Sequence, residues 1–178
     1  LPLCARFDVV GPLARTVEDC AELFALIRGT AAPDLRGAEP QGLRVMVLDG
    51  VPFDQAREAP VAAFEEAVAR LAAAGVSVTH AAPPCVPQAM ALAPTLFAPE
   101  AYGLWRDQIE AAPELMYPPI LERFRGGREV SAADYVAGWT TLDRLRRDWA
   151  ETAAGFDAVI LPTAPILPPE IVRLESDA

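Results

Sequence analysis

A chain of 178 residues with 52% hydrophobic and 22% charged residues is long enough to bury a core without disulfides or metals, and its balance excludes disordered, collagen-like or coiled-coil composition. The net charge of −10 excludes general binding to nucleic acids or anionic membranes. All 15 basic residues are arginine, so lysine-dependent Schiff-base, P-loop and Ser-Lys chemistry is absent from these residues.

Serine occurs only as Ser77, Ser131 and Ser176. The three cysteines, Cys4, Cys20 and Cys85, are odd in number and show no CxxC spacing, which argues against a disulfide framework and for a reducing, cytoplasmic location. No apolar run reaches the ~18 residues of a membrane span. Leu1 is neither an initiator methionine nor the start of a signal pattern, which predicts a chain cut from a longer protein.

The first predicted element is a helix over 17–28, capped by Thr16 with Asp19 three residues on and stopped by Gly29. Its apolar face comprises Val17, Cys20, Ala21, Phe24 and Ile27. The run over 43–48, closed by Asp49-Gly50, reads as a buried strand and a turn. A helix over 60–74 follows, with Val61, Phe64, Val68 and Leu71 inward, then Gly75 and a strand over 76–79. This is a β-α-β unit, which predicts parallel strands and a right-handed crossover.

Between Val86 and Gly127, Pro87, Pro94, Pro99, Pro113, Pro118 and Pro119 interrupt each candidate helix and predict several short ones. Ser131 and Asp134 open the longest helix, running to about Ala154 with Tyr135, Val136, Trp139, Leu142 and Trp149 inward. A strand over 158–161 ends in the rigid exit Pro162-Thr163-Ala164-Pro165, and the tail to Ala178 has no clear period. With no repeat or linker in view, the fold class is α/β, a mixed, mainly parallel sheet covered by helices in one partial domain over 1–178.

Isolated chemical signals are weak. His80 and Cys85 are five residues apart, but a free cysteine is more often a small buried hydrophobe than a nucleophile. One histidine and three scattered cysteines supply no metal-ligand pair. Glu18-Asp19, Asp34 and Glu65-Glu66 read as solvated helix or loop acids, and Asp49-Gly50 as a turn without a phosphate loop. Trp139 and Trp149, ten residues apart, read as core.

The densest pattern is Phe7-Asp8-Val9-Val10-Gly11-Pro12-Leu13-Ala14-Arg15-Thr16-Val17-Glu18-Asp19, a Gly-Pro turn followed by an arginine and an N-cap threonine. It resembles the segment Asp-x-x-Gly-Pro-x-Ala-Arg-Thr-Val-x-Asp of the amidase signature family. Gly42-Leu43-Arg44-Val45 resembles that family's next strand, Ala74-Gly75-Val76 its helix-to-strand turn, and the stretch from Phe156 to Pro165 its late strand with a Pro-Thr exit. The matches run in order from about Leu3 to Pro168.

The resemblance implies a partial amidase-signature fold and serine-dependent amide hydrolysis through two serines and a lysine. In the family these catalytic residues lie upstream of the Asp-x-x-Gly-Pro segment, so no catalytic residue is expected here. Asp8, Gly11, Pro12, Arg15, Thr16, Asp19 and Pro162 are read as a structural motif, with Arg15 buried beside the Gly11-Pro12 turn. Thr163, beyond a strand's carboxyl end, is the candidate substrate-binding residue. The region from about Ala91 to Gly127 would shape specificity. No metal or cofactor is implied. The expected partner is a small amide, with aryl amides, fatty amides, malonamide, urea derivatives and glutamine all used by relatives, and a homodimer is left open. The competing reading is a self-contained, noncatalytic α/β binding module.

Overall fold

The computed structural model describes residues 2–172 and divides the chain into two compact units, Leu1–Glu39 and Pro40–Ala178. Residues 173–178, and with them Ser176 and the end of the acidic tail, lie outside the described residues.

The first unit contains α1 (Val17–Arg28). Thr16 Oγ1 accepts the Asp19 N–H at 3.1 Å, and Gly29 closes the helix at φ +68°, a left-handed conformation that favours glycine. The expected inward face is covered only in part, at the half-buried Cys20 and Ala21. Val17, Phe24 and Ile27 are 72%, 46% and 53% exposed, and Ala25 is the buried helix residue instead. The physical reason is size, because a unit of this length has too little chain to wrap a second layer around its one helix.

In the second unit, β1 (Arg44–Leu48), β2 (Ser77–Ala81) and β3 (Ala158–Ile160) form a parallel sheet in the order β2-β1-β3. Its central strand carries the sheet core, since Val45, Met46, Val47 and Leu48 are all buried, as a parallel strand covered on both faces requires. α2 (Glu58–Ala73) connects β1 to β2, with Gly75 at φ +89° in the turn that follows it. Val61, Phe64, Val68 and Leu71 are half-buried on it, as their spacing predicts.

The helical part departs from the prediction of several short helices. α3 (Cys85–Met90) and α5 (Pro118–Arg125) are short, but α4 (Ala93–Ala111) runs for 19 residues. Pro94 sits in the first turn, where its missing N–H has no partner to lose. Pro99 lies inside the helix and removes a hydrogen bond. Burial of Leu96, Ala101 and Ile109 offsets that loss, each large side chain contributing ~1.5–3 kcal/mol. α6 (Ala132–Ala153) starts at Ser131, whose Oγ accepts the Asp134 N–H at 3.0 Å. Trp139, Leu142 and Leu145 are buried on it, whereas Val136, expected inward, is 63% exposed. Trp139 stacks edge-on with Tyr135 at 6.2 Å and beneath the Arg146 guanidinium at 5.5 Å.

Asp157 fastens β3 to β1. Its carboxylate accepts the Arg44 backbone N–H at 2.8 Å and the Arg44 guanidinium at 3.3 Å, while its own N–H donates to the Arg44 carbonyl at 2.8 Å. The Arg44 backbone N–H, and then its guanidinium, hold the Asp157 carboxyl below its ordinary value. A carboxyl held below its unfolded value stabilises the fold above that value and loses the contribution as pH falls through the folded one. Asp157→Asn is therefore expected to destabilise the chain at neutral pH, by an amount that shrinks below about pH 4. Urea denaturation of both proteins at neutral and acidic pH checks this, and a difference that stays constant would refute it.

Candidate functional site

The carboxyl ends of the three parallel strands gather the polar residues of interest in the second unit. Asp49 follows β1, His80 is the penultimate residue of β2, and Pro162-Thr163 follow β3. Register pairs Val47 with His80, so the chain leaving β1 brings Asp49 to the imidazole. His80 Nδ1 lies 3.1 and 3.2 Å from the two Asp49 carboxylate oxygens. In the neutral ring that geometry places the proton on Nδ1, donating to Asp49, and leaves Nε2 as an acceptor.

These two residues line a cleft of about 500 Å³ together with Glu65, Phe53, Phe64, Val61 and Val68. The Phe53 and Phe64 rings meet edge to face at 5.7 Å. Gly50, at φ +84°, turns the chain from β1 into the short 3-10 segment Val51–Phe53 and so puts Phe53 opposite α2. The sequence signal for this grouping was available only in pieces: two strand ends that had to be adjacent, and Glu65 beside the apolar row of α2.

The His80–Cys85 combination does not assemble. His80 faces Asp49, whereas Cys85 is buried at the start of α3 and lines a separate apolar groove with Met90, Leu142, Leu145 and Trp149. No three of His, Cys, Asp and Glu converge on a metal position among the described residues. Ser77 sits in β2 and Ser131 is committed to its helix cap, its hydroxyl also donating to Asp134 Oδ2 at 2.7 Å.

Thr163 is exposed beyond β3, following the buried Pro162. The exit segment is tied back to the start of α2, where the Arg57 N–H donates to the Pro165 carbonyl at 2.8 Å. A second cleft, of about 610 Å³, opens between α4 and α5, lined by Pro94, Thr95, Phe97, Glu122, Arg123 and Val130. Nearby, the Arg125 guanidinium grips Glu110 at 2.7 and 3.0 Å and Tyr102 adds a hydroxyl donor at 3.1 Å, so the Glu110 carboxyl is held below its ordinary range.

In the first unit, Asp8 accepts the backbone N–H groups of Leu3 at 2.8 Å and Cys4 at 3.2 Å, closing a turn in which the Phe7 and Asp8 N–H groups return to the Cys4 carbonyl. The expected turn at Gly11-Pro12 is replaced by irregular chain over 8–14, and the turn lies over 5–7 instead. Gly11 has open space around it. Arg15 is exposed rather than buried and makes no hydrogen bond or ion pair among the described residues. Of its two expected acids, the Asp8 carboxylate is committed to the turn, whereas Asp19 gives only its backbone N–H to Thr16 and forms no ion pair with Arg15 among the described residues.

The α/β sheet, its helices and the ordered motif segments define the class of the protein, and comparison with known proteins supplies the family. The family described as Amidase matches residues 1–177, and the chain belongs to it. It is 31% identical over 179 residues to 2-amino-5-chloromuconic acid deaminase of Comamonas testosteroni, covering 98% of this chain and 38% of that protein. An amidase of Pseudomonas putida is 27% identical over 172 residues, covering 89% and 37%.

A crystal structure of an amidase superposes with a TM-score of 0.81 at 24% identity over 96% of this chain and 38% of the other, a likeness of fold. A structure described as a vestigial protein complex that reveals the evolutionary origins of an s-triazine catabolic enzyme superposes at 0.73 with 26% identity, covering 90% and 37%. The chain thus spans little more than a third of the length of the relatives it matches.

Proposed function

We propose that this chain is one part of a serine-dependent amidase, in which water cleaves a C–N amide bond to a carboxylic acid and ammonia or an amine. The observation that carries this reading is the family match over residues 1–177. The relatives named amidase and deaminase support C–N cleavage as its reaction class. With no lysine in the sequence, and with Ser131 held in a cap, the nucleophile, base and oxyanion loop come from chain outside these residues.

Within that protein, these residues supply sheet scaffold and pocket wall as part of one domain. Thr163 is a substrate-lining residue at the carboxyl edge of the sheet. The cleft between α4 and α5 supports a specificity role for the region from Ala91 to Gly127. Work on small amides in the cytoplasm is the reading that the three free cysteines favour, and no helix among the described residues is long and apolar enough to cross a membrane. A relative of similar structure is itself described as a complex, which supports assembly, a homodimer being the simplest form.

The 178 residues alone are expected to release no ammonia above background from a panel of aryl, aliphatic and dicarboxylic amides, whereas a longer protein containing this stretch hydrolyses at least one of them. Ammonia release by the chain alone, abolished by His80→Ala or Cys85→Ala, would overturn the reading and place catalysis in these residues.

A further inference from the structure

We propose that the cleft between α2 and the ends of β1 and β2 binds organic ammonium ions, small amines with an apolar and preferably aromatic body. This reading goes beyond the proposed amide hydrolysis, and the cleft shares no residue with the one between α4 and α5. Its floor is apolar, formed by Phe53, Phe64, Val61 and Val68, and its volume of about 500 Å³ falls in the range of small-molecule sites.

Its rim decides the charge of the occupant. Among the described residues, the ionisable ones lining the cleft are Asp49, Glu65 and His80, with no arginine. Against the Asp49 carboxylate His80 Nδ1 acts as a donor, so in the neutral form of the ring Nε2 is an acceptor, and both carboxylates are acceptors as well. An acceptor-only rim carrying two negative charges matches a head group that only donates, and an ammonium brings three donors and one positive charge. A carboxylate head of the same shape would meet two like charges with no donor to answer it. The apolar floor discriminates in turn against ammonium itself or a short hydrophilic amine, which would leave the phenyl rings uncovered.

The test is calorimetric titration of the 178-residue chain with 2-phenylethylammonium, 2-phenylethanol and 3-phenylpropionate at about pH 8, where imidazole is ordinarily neutral. The amine is expected to saturate one site, the alcohol to bind at least ~10-fold more weakly, and the carboxylate not to bind up to ~10 mM. In parallel NMR titrations the His80 ring protons move with the amine and stay in place with the carboxylate.

Glu65→Gln, an exposed change on a helix, weakens the amine several-fold, and Asp49→Asn or Phe64→Ala weakens it at least ~10-fold in protein whose unfolding transition remains cooperative. Absence of saturable amine binding, equal binding of the carboxylate, or amine binding indifferent to both Glu65→Gln and Asp49→Asn would each overturn the proposal, the last by showing only diffuse attraction to an acidic surface.

Discussion

Gly127→Ala is expected to destabilise the chain by ~3 kcal/mol or more, the upper end of overpacking costs. Gly127 is buried in the 3-10 segment Gly126–Glu129, and a Cβ there would approach the Ala98 carbonyl oxygen and carbon and the Pro99 nitrogen. All three are backbone atoms at 2.2 to 2.7 Å, so no rotamer change relieves the clash. The segment must instead move off α4, whose position is fixed by the buried Leu96 and Ala101, and it pulls the adjoining Arg125 away from Glu110, which stays on α4. Gly126→Ala is the matched control, because that glycine has open space and ordinary helical backbone angles. It should stay within ~0.5 kcal/mol of the parent in urea denaturation. Equal behaviour of the two variants would show that α4 and the 3-10 segment are not held in this contact.

Met46→Ala is the second large effect, at ~2–5 kcal/mol. Met46 is fully buried in the middle of the central strand, level with Thr79 on one side and Val159 on the other. Truncation removes its transfer energy and leaves a cavity that neither neighbouring strand can fill without breaking register. Met90→Ala, at a side chain that is 59% exposed, should change stability by no more than ~0.5 kcal/mol. A Met46 variant as stable as the Met90 variant would mean that the sheet core collapses around the gap.

The sequence by itself determined the local events of this fold. The strands over 43–48, 76–79 and 158–161 were legible as apolar runs between breakers and appear as Arg44–Leu48, Ser77–Ala81 and Ala158–Ile160. The starts of α1 and α6 were legible because Thr16 and Ser131 satisfy helix N–H groups within three residues, a signal that needs no tertiary partner. Family membership was legible for a related reason, since short stretches of turn, cap and strand residues recur in fixed order.

Tertiary structure alone decided what depended on partners distant in the chain. Whether Pro99 would break a helix turned on the burial of Leu96, Ala101 and Ile109, which outweighs one missing hydrogen bond. Whether Val17, Phe24 and Ile27 would be inside turned on what covers α1 in its own unit, which periodicity cannot report. The grouping of Asp49, Glu65 and His80 required β1 and β2 to pair in one register and α2 to lie alongside. Periodicity and capping act over a few residues through the backbone, whereas burial and site assembly depend on contacts that exist only once segments 30 or more residues apart have met, as the Asp49–His80 pair has done across 31.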